Sequence, residues 1–130
     1  MIRLVLALML AATPVLAETP LDADGFDAAV TGRTLIYGTE AGPYGIEEYL
    51  PGRRVRWSFL DGDCVEGRWY PQGDAICFAY EGRANDECWH FFREAGRLGA
   101  RPTSAPQSTP LYVIADSPEP MICRGPRIGV

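Results

Sequence analysis

The chain has 130 residues, 17 acidic and 12 basic side chains, one histidine and four cysteines, for a formal charge of -5. A chain this short holds one small domain, without room for a catalytic domain beside a regulatory one. The acidic balance excludes a nucleic-acid or anionic-membrane partner held by a basic face. Because every basic residue is arginine, lysine Schiff-base chemistry and phosphate-binding lysine loops are excluded as well.

Met1 to Ala17 carries Arg3, an apolar run from Leu4 to Ala12, Pro14, and Val15-Leu16-Ala17 as a small-residue cleavage site. This is the pattern of a secretory signal peptide cut after Ala17. The run is shorter than the roughly 20 residues of a spanning helix, and no later run exceeds it. A soluble mature domain over residues 18–130 follows, periplasmic or secreted, with no stable membrane insertion after cleavage. Without Arg3 it is one unit more negative than the precursor.

Thr19 to Gly32 opens on Pro and Asp, places Phe26, Ala29 and Val30 at helical spacing and stops at Gly32, which predicts one short amphipathic helix. From Arg33 the pattern changes to short aromatic and β-branched runs, each ended by Gly, Pro or Asp. Strands are predicted at Thr34–Tyr37, Tyr44–Leu50, Arg54–Leu60, Val65–Tyr70, Ala75–Tyr80, Glu87–Arg93, Arg97–Arg101 and Leu111–Ala115. Pro51-Gly52, Asp61-Gly62-Asp63, Pro71-Gln72-Gly73 and Ala95-Gly96 are tight-turn sequences between them, so consecutive strands should be antiparallel neighbours. Crossovers of the length a parallel sheet requires are absent.

The expected fold is mainly β: an up-and-down meander of about eight strands, curled into a half or whole small barrel, with the helix on one face or end. Val55, Trp57 and Phe59 should face the core while Arg54, Arg56 and Ser58 face away, and Ile76, Phe78 and Tyr80 should face in by the same alternation. Residues 103–110 read as an irregular loop and residues 116–130 as an irregular, proline-rich tail.

Four cysteines admit three pairings. A hairpin turn at Pro71-Gln72-Gly73-Asp74 sets Cys77 opposite about Arg68 and leaves Cys64 about 13 Å farther along its strand, beyond the reach of a disulfide. The next hairpin, closed by Gly82 to Asp86, sets Cys77 opposite Cys88 and Ile76 opposite Trp89. The expected bridges are therefore Cys77–Cys88 across a hairpin and Cys64–Cys123 fastening the tail. Cys88-Trp89-His90 lacks the spacing of a zinc ligand pair, so no metal is expected.

No catalytic constellation is recognisable, and no cofactor is implied. His90 has the one side chain with an ordinary pKa near neutrality, on the strand side shared with Cys88 and Phe92. It has no Gly-x-Ser-x-Gly elbow to serve. Asp22 to Asp27 begins like a calcium loop, but its glycine is misplaced and Arg33 stands where the last ligand would be, so an acidic helix start is the simpler account. Glu47 and Glu48 point to opposite faces of a strand, and whichever is buried needs an arginine partner such as Arg54, Arg56 or Arg68. The aromatics from Trp57 to Phe92 exceed what one face of a small sheet buries. A subset beside the arginines is expected to form a binding face, with Arg54, Arg56, Arg68, Tyr70, Tyr80 and His90 as candidates.

The segments Thr31 to Tyr37, Tyr44 to Tyr49, Cys64 to Tyr70 with its Gly67-Arg68-Trp69, Ile76 to Tyr80 and Cys88-Trp89 resemble a group of uncharacterised small secreted bacterial proteins with a Cys, Gly-x-Trp, Cys, Cys-Trp signature. The resemblance spans residues 26 to 93. It implies an exported, disulfide-bonded β domain and carries no activity or catalytic residues with it. The functional expectation is a non-enzymatic binding module for a protein or small-molecule ligand. The alternatives are an inhibitor of a cationic cell-wall hydrolase, similar in general character to bacterial lysozyme inhibitors, and a small hydrolase using His90.

Overall fold

The structure, a computed structural model, describes residues 17–124. The leader expected at residues 1–17 lies outside these apart from Ala17, as do residues 125–130 of the tail. A two-residue strand β1 (Thr19–Pro20) precedes helix α1 (Ala23–Val30). Strands β2 (Thr34–Thr39), β3 (Gly42–Leu50), β4 (Arg54–Ser58), β5 (Val65–Gln72), β6 (Ala75–Tyr80), β7 (Glu87–Glu94), β8 (Arg97–Pro102) and β9 (Leu111–Ser117) follow.

Each strand from β2 to β9 pairs antiparallel with its neighbours in sequence, and β9 returns to pair with β2. The meander is thus a closed eight-stranded barrel, the whole rather than the half form. Irregularities at Ile36–Gly38 in β2 bend the strand where the barrel closes. Along β7, β6 pairs only with Glu87 to Trp89, and β1 takes the vacant edge at Phe92 and Arg93.

Helix α1 starts where the acidic signal placed it: the Asp22 carboxylate accepts a hydrogen bond from the Gly25 N–H at 2.8 Å. Phe26 and Val30 are its buried face. The Phe26 ring sits 4.4 Å from Phe91, 5.0 Å from Trp69 and 5.7 Å from Tyr49, between centroids, so the helix plugs one end of the barrel. Leu35, Val55, Ile76, Phe78 and Leu98 complete the packing.

Several sequence expectations shift by a few residues. The hairpin between β5 and β6 turns on Gly73-Asp74 alone, so Cys77 faces Tyr70 rather than Arg68. Strand β4 ends at Ser58, which leaves Phe59 beyond the pleat and exposed instead of in the core. Strand β9 runs to Ser117, so the irregular tail begins after that residue and not at Asp116.

Both expected disulfides are present, Cys77–Cys88 between directly opposed residues and Cys64–Cys123 across 59 positions of sequence. The second ties down a strap that crosses the outside of β2 to β4. The Thr34 hydroxyl donates to the Glu119 carbonyl, the Met121 N–H donates to Glu48, and the Arg124 N–H donates to the Gly62 carbonyl.

Candidate functional site

The two ends of the barrel differ. At the plugged end the connections are tight turns: Pro51–Arg53, Gly73-Asp74 and Ala95-Gly96. The longer loops, residues 59–64, 81–86 and 103–110, all lie at the opposite end with the β2–β3 hairpin. Long loops presented by a rigid barrel are the usual position of a ligand-facing surface.

That open end carries exposed apolar side chains. Tyr44, Phe59 and Leu60 are 45 %, 48 % and 43 % exposed, and Leu60 is held at φ 69°, a backbone conformation that disfavours a bulky residue. Tyr44, Trp57 and Phe59 pack against one another with ring centroids 5.3 to 6.0 Å apart. Beneath them is a narrow cavity of about 40 Å³, walled by Tyr37, Tyr49, Trp57, Phe78, Tyr80 and Trp89, with Glu47 in the lining.

Glu47 is the unexpected member. The β3 alternation turns it inward between Leu35 of β2 and Trp57 of β4, and it is 1 % exposed. The sequence reading required an arginine for whichever of Glu47 and Glu48 was buried. Both turn out to be buried, and the expectation holds for one of them: Glu48, on the outward face under the strap, has Arg56 at 3.4 Å, which also reaches Glu66 at 3.0 Å. Glu47 receives one phenol, Tyr80, whose hydroxyl lies 3.0 and 3.1 Å from its two carboxylate oxygens. No ion pair reaches Glu47 among the described residues.

Burial without a cation pushes the Glu47 carboxyl well above its usual range; the Tyr80 hydrogen bond and the nearby charge of Arg83 oppose that shift only in part. Tyr37 and Tyr49 share a hydrogen bond of 2.7 Å close by. Burial also raises the Tyr37, Tyr49 and Tyr80 phenols, so all three stay protonated. At the entrance the Arg83 guanidinium lies over the Tyr80 ring at 4.9 Å and the Phe59 ring at 5.5 Å, and reaches Glu87 at 3.4 Å.

Two glycines make room for these rings. A Cβ on Gly45 would come within 2.3 Å of Trp57, and one on Gly67 would come within 2.5 Å of the Ala79 carbonyl and 2.8 Å of Tyr80. Gly67 faces Tyr80 across the β5–β6 ladder, so the Gly-x-Trp signature seats both Trp69 and Tyr80.

The residues singled out from the sequence do not converge. Tyr80 lies inside the barrel, whereas Arg54 and Arg68 face each other across β4 and β5 on the exterior. Tyr70 is bonded to Asp86 at 2.6 Å, and Arg56 is occupied by its two glutamates. His90 opens onto a broad outer groove of about 810 Å³ beside the helix start, 3.7 Å from Asp74. The described lining of that groove holds no serine, threonine or cysteine for a histidine base to activate. Sequence reasoning left open which of Glu47 and Glu48 points inward and missed Arg83 above the Tyr80 ring. Strict alternation from Tyr49 would have placed Glu47 inside, but no local signal brings the 81–86 loop over Tyr80.

Among the described residues, no group of three or more His, Cys, Asp or Glu side chains is arranged to hold a metal, and no helix is long and apolar enough to cross a membrane. No protein-family model, curated protein or solved structure matches the chain.

Proposed function

We propose that this is an exported, non-enzymatic binding module that engages its ligand at the open end of the barrel. The asymmetry between the ends carries the reading. One end is sealed by Phe26 and short turns, while the other exposes Tyr44 and Phe59 at an aromatic cavity with a buried carboxyl group. Exposed apolar side chains rimming a pocket are costly in a free protein and are typical of binding surfaces. Two disulfides fit an oxidising compartment, in keeping with the signal-peptide pattern at residues 1–17.

The test is a chemically diverse fragment set screened by protein-observed NMR. Shift changes clustered on Tyr44, Trp57, Phe59, Tyr80 and Trp89 are expected. Shifts confined to the groove around His90, or none at all, overturn the reading. An inhibitor of a cationic cell-wall hydrolase is the protein-partner form of the same idea, favoured by the net charge of -5. Full lysozyme activity in the presence of the purified protein removes that form.

A further inference from the structure

We propose that the barrel mouth binds a primary alkylammonium group, with Glu47 as its counter-charge and the surrounding aromatic rings as its walls. The inference deepens the open-end binding reading and rests on it. Four observations support it.

The first is an incomplete partner set. A carboxylate offers about four acceptor positions, and Glu47 receives a single O–H shared between both oxygens. The second is wall chemistry: tyrosine and tryptophan rings present negative π faces, which attract cations most strongly where water is excluded. The third is the entrance, where the protein already lays a cation on these rings through Arg83 above Tyr80 and Phe59. That guanidinium stops short of Glu47 and is held on its other side by Glu87. The fourth is size. A cavity of about 40 Å³ takes about three water-sized groups, enough for a CH2–NH3+ head.

The proton balance follows. Burial favours the protonated form of Glu47 in the free protein. Docking of the ammonium ion favours the carboxylate, so a proton held by Glu47 passes to solvent as the carboxylate–ammonium pair forms, with no covalent change. The groups facing Glu47 are Tyr80 from β6, Tyr37 from β2, Tyr49 from β3, Arg83 from the loop after β6 and Glu87 from β7. The phenols do not titrate near neutrality, so the released proton belongs to Glu47. Affinity should rise with pH as the carboxylate form becomes easier to reach.

The experiment is calorimetric titration of the full mature chain with n-propylamine, repeated in buffers of different ionisation enthalpy. Saturable binding is expected, with any proton release increasing as the pH is lowered, together with a change in tryptophan fluorescence from Trp57 and Trp89. Glu47→Gln should lose at least tenfold in affinity, and 1-propanol should not compete. A blocked lysyl peptide in place of propylamine distinguishes the sources: binding of both admits a lysine side chain, and binding of propylamine alone points to a free amine. No binding of propylamine to the wild-type protein, or equal binding by folded Glu47→Gln, overturns the proposal. If fragments still cluster at the mouth, the alkylammonium assignment alone has failed; if they do not, both readings have.

Discussion

Tyr80 donates its phenolic hydrogen across both carboxylate oxygens of Glu47, at 3.0 and 3.1 Å, inside the barrel and out of reach of any ion pair among the described residues. The pair joins β6 to β3 through the interior although these strands are not sheet neighbours. A buried carboxyl group with one donor and no cation is a liability in a domain stable by only about 5–15 kcal/mol. Its retention at the base of an aromatic cavity is the physical reason for placing the ligand there.

Glu47 should make the protein less stable as pH rises. Its carboxyl is raised in the folded state above the ordinary 4.5, so the folded chain binds the extra proton. Below about pH 4.5 both folded and unfolded states are protonated and the group contributes no penalty. Above it the unfolded state gives up the proton first, and stability falls by up to about 1.4 kcal/mol per pH unit until the folded group ionises. Urea unfolding of the wild type between pH 5 and 8, compared with Glu47→Gln, measures this. The variant should show a flatter profile and be the more stable protein at the alkaline end. Parallel profiles would mean that Glu47 is ionised when folded.

Gly67→Ala should displace the Tyr80 ring. The new Cβ meets the Ala79 carbonyl at 2.5 Å and Tyr80 at 2.8 Å, and a backbone oxygen in a closed ladder has little freedom to retreat. A cost of about 1–3 kcal/mol is expected. Loss of the Tyr80–Glu47 hydrogen bond should accompany it, visible as a changed pH profile relative to the wild type. A variant with unchanged stability would show that the sheet yields locally.

The strand pattern was legible because tight turns fix register: Pro51-Gly52 and Ala95-Gly96 leave adjacent strands no choice but antiparallel pairing, and the opposition of Cys77 and Cys88 followed from one loop. Closure was less legible. It depends on β9 returning to β2, a pairing across about 80 residues that no turn specifies. The site was the least legible part. Arg54, Arg56, Arg68, Tyr70 and His90 attracted notice by residue type, yet in a closed barrel alternation alone sorts lining from surface, and it sends these five outward. Tyr80 was the one candidate whose parity points in, and its carboxylate partner lies on a strand 33 positions earlier.

The two disulfides should fail differently. In the chain-entropy model the bridge spanning 59 positions contributes about 4 kcal/mol and the one spanning 11 about 3 kcal/mol. Replacing Cys64 and Cys123 by serine releases the strap as well. Met121 loses its cover, and Glu48 loses the Met121 N–H while keeping Arg56. Limited proteolysis should then cut after Ser117, in a segment resistant in the wild type. Removal of Cys77 and Cys88 should lower the unfolding midpoint and leave the tail resistant. Equal tail protection in both variants would show that the hydrogen bonds hold the strap without the bridge.

Ala95→Asn should stabilise the chain. Ala95 and Gly96 are the two central residues of the β7–β8 hairpin and both have positive φ, 49° and 80°. The left-handed region costs an alanine about 1 kcal/mol and an asparagine less, since asparagine bonds locally to its own backbone. A rise of about 4 °C in Tm is expected from relief of that cost. A decrease would show that the alanine methyl makes a contact worth more than the strain.

Phe26→Ala tests the helix as the plug that makes the barrel one-ended. Phe26 is fully buried, and its ring stands edge-on to Trp69 and Tyr49 and tilted against Phe91. Truncation removes the side chain at the centre of four strands' packing and should cost about 3–5 kcal/mol. The eight-strand ladder does not include α1, so the barrel should persist while the helix loosens. Amide exchange would then accelerate over Ala23–Val30 and at β1, with β2 to β5 still protected. Uniform loss of protection would instead make the helix a required part of the folding unit, because the strands would then be unable to hold a closed ladder around an unfilled end.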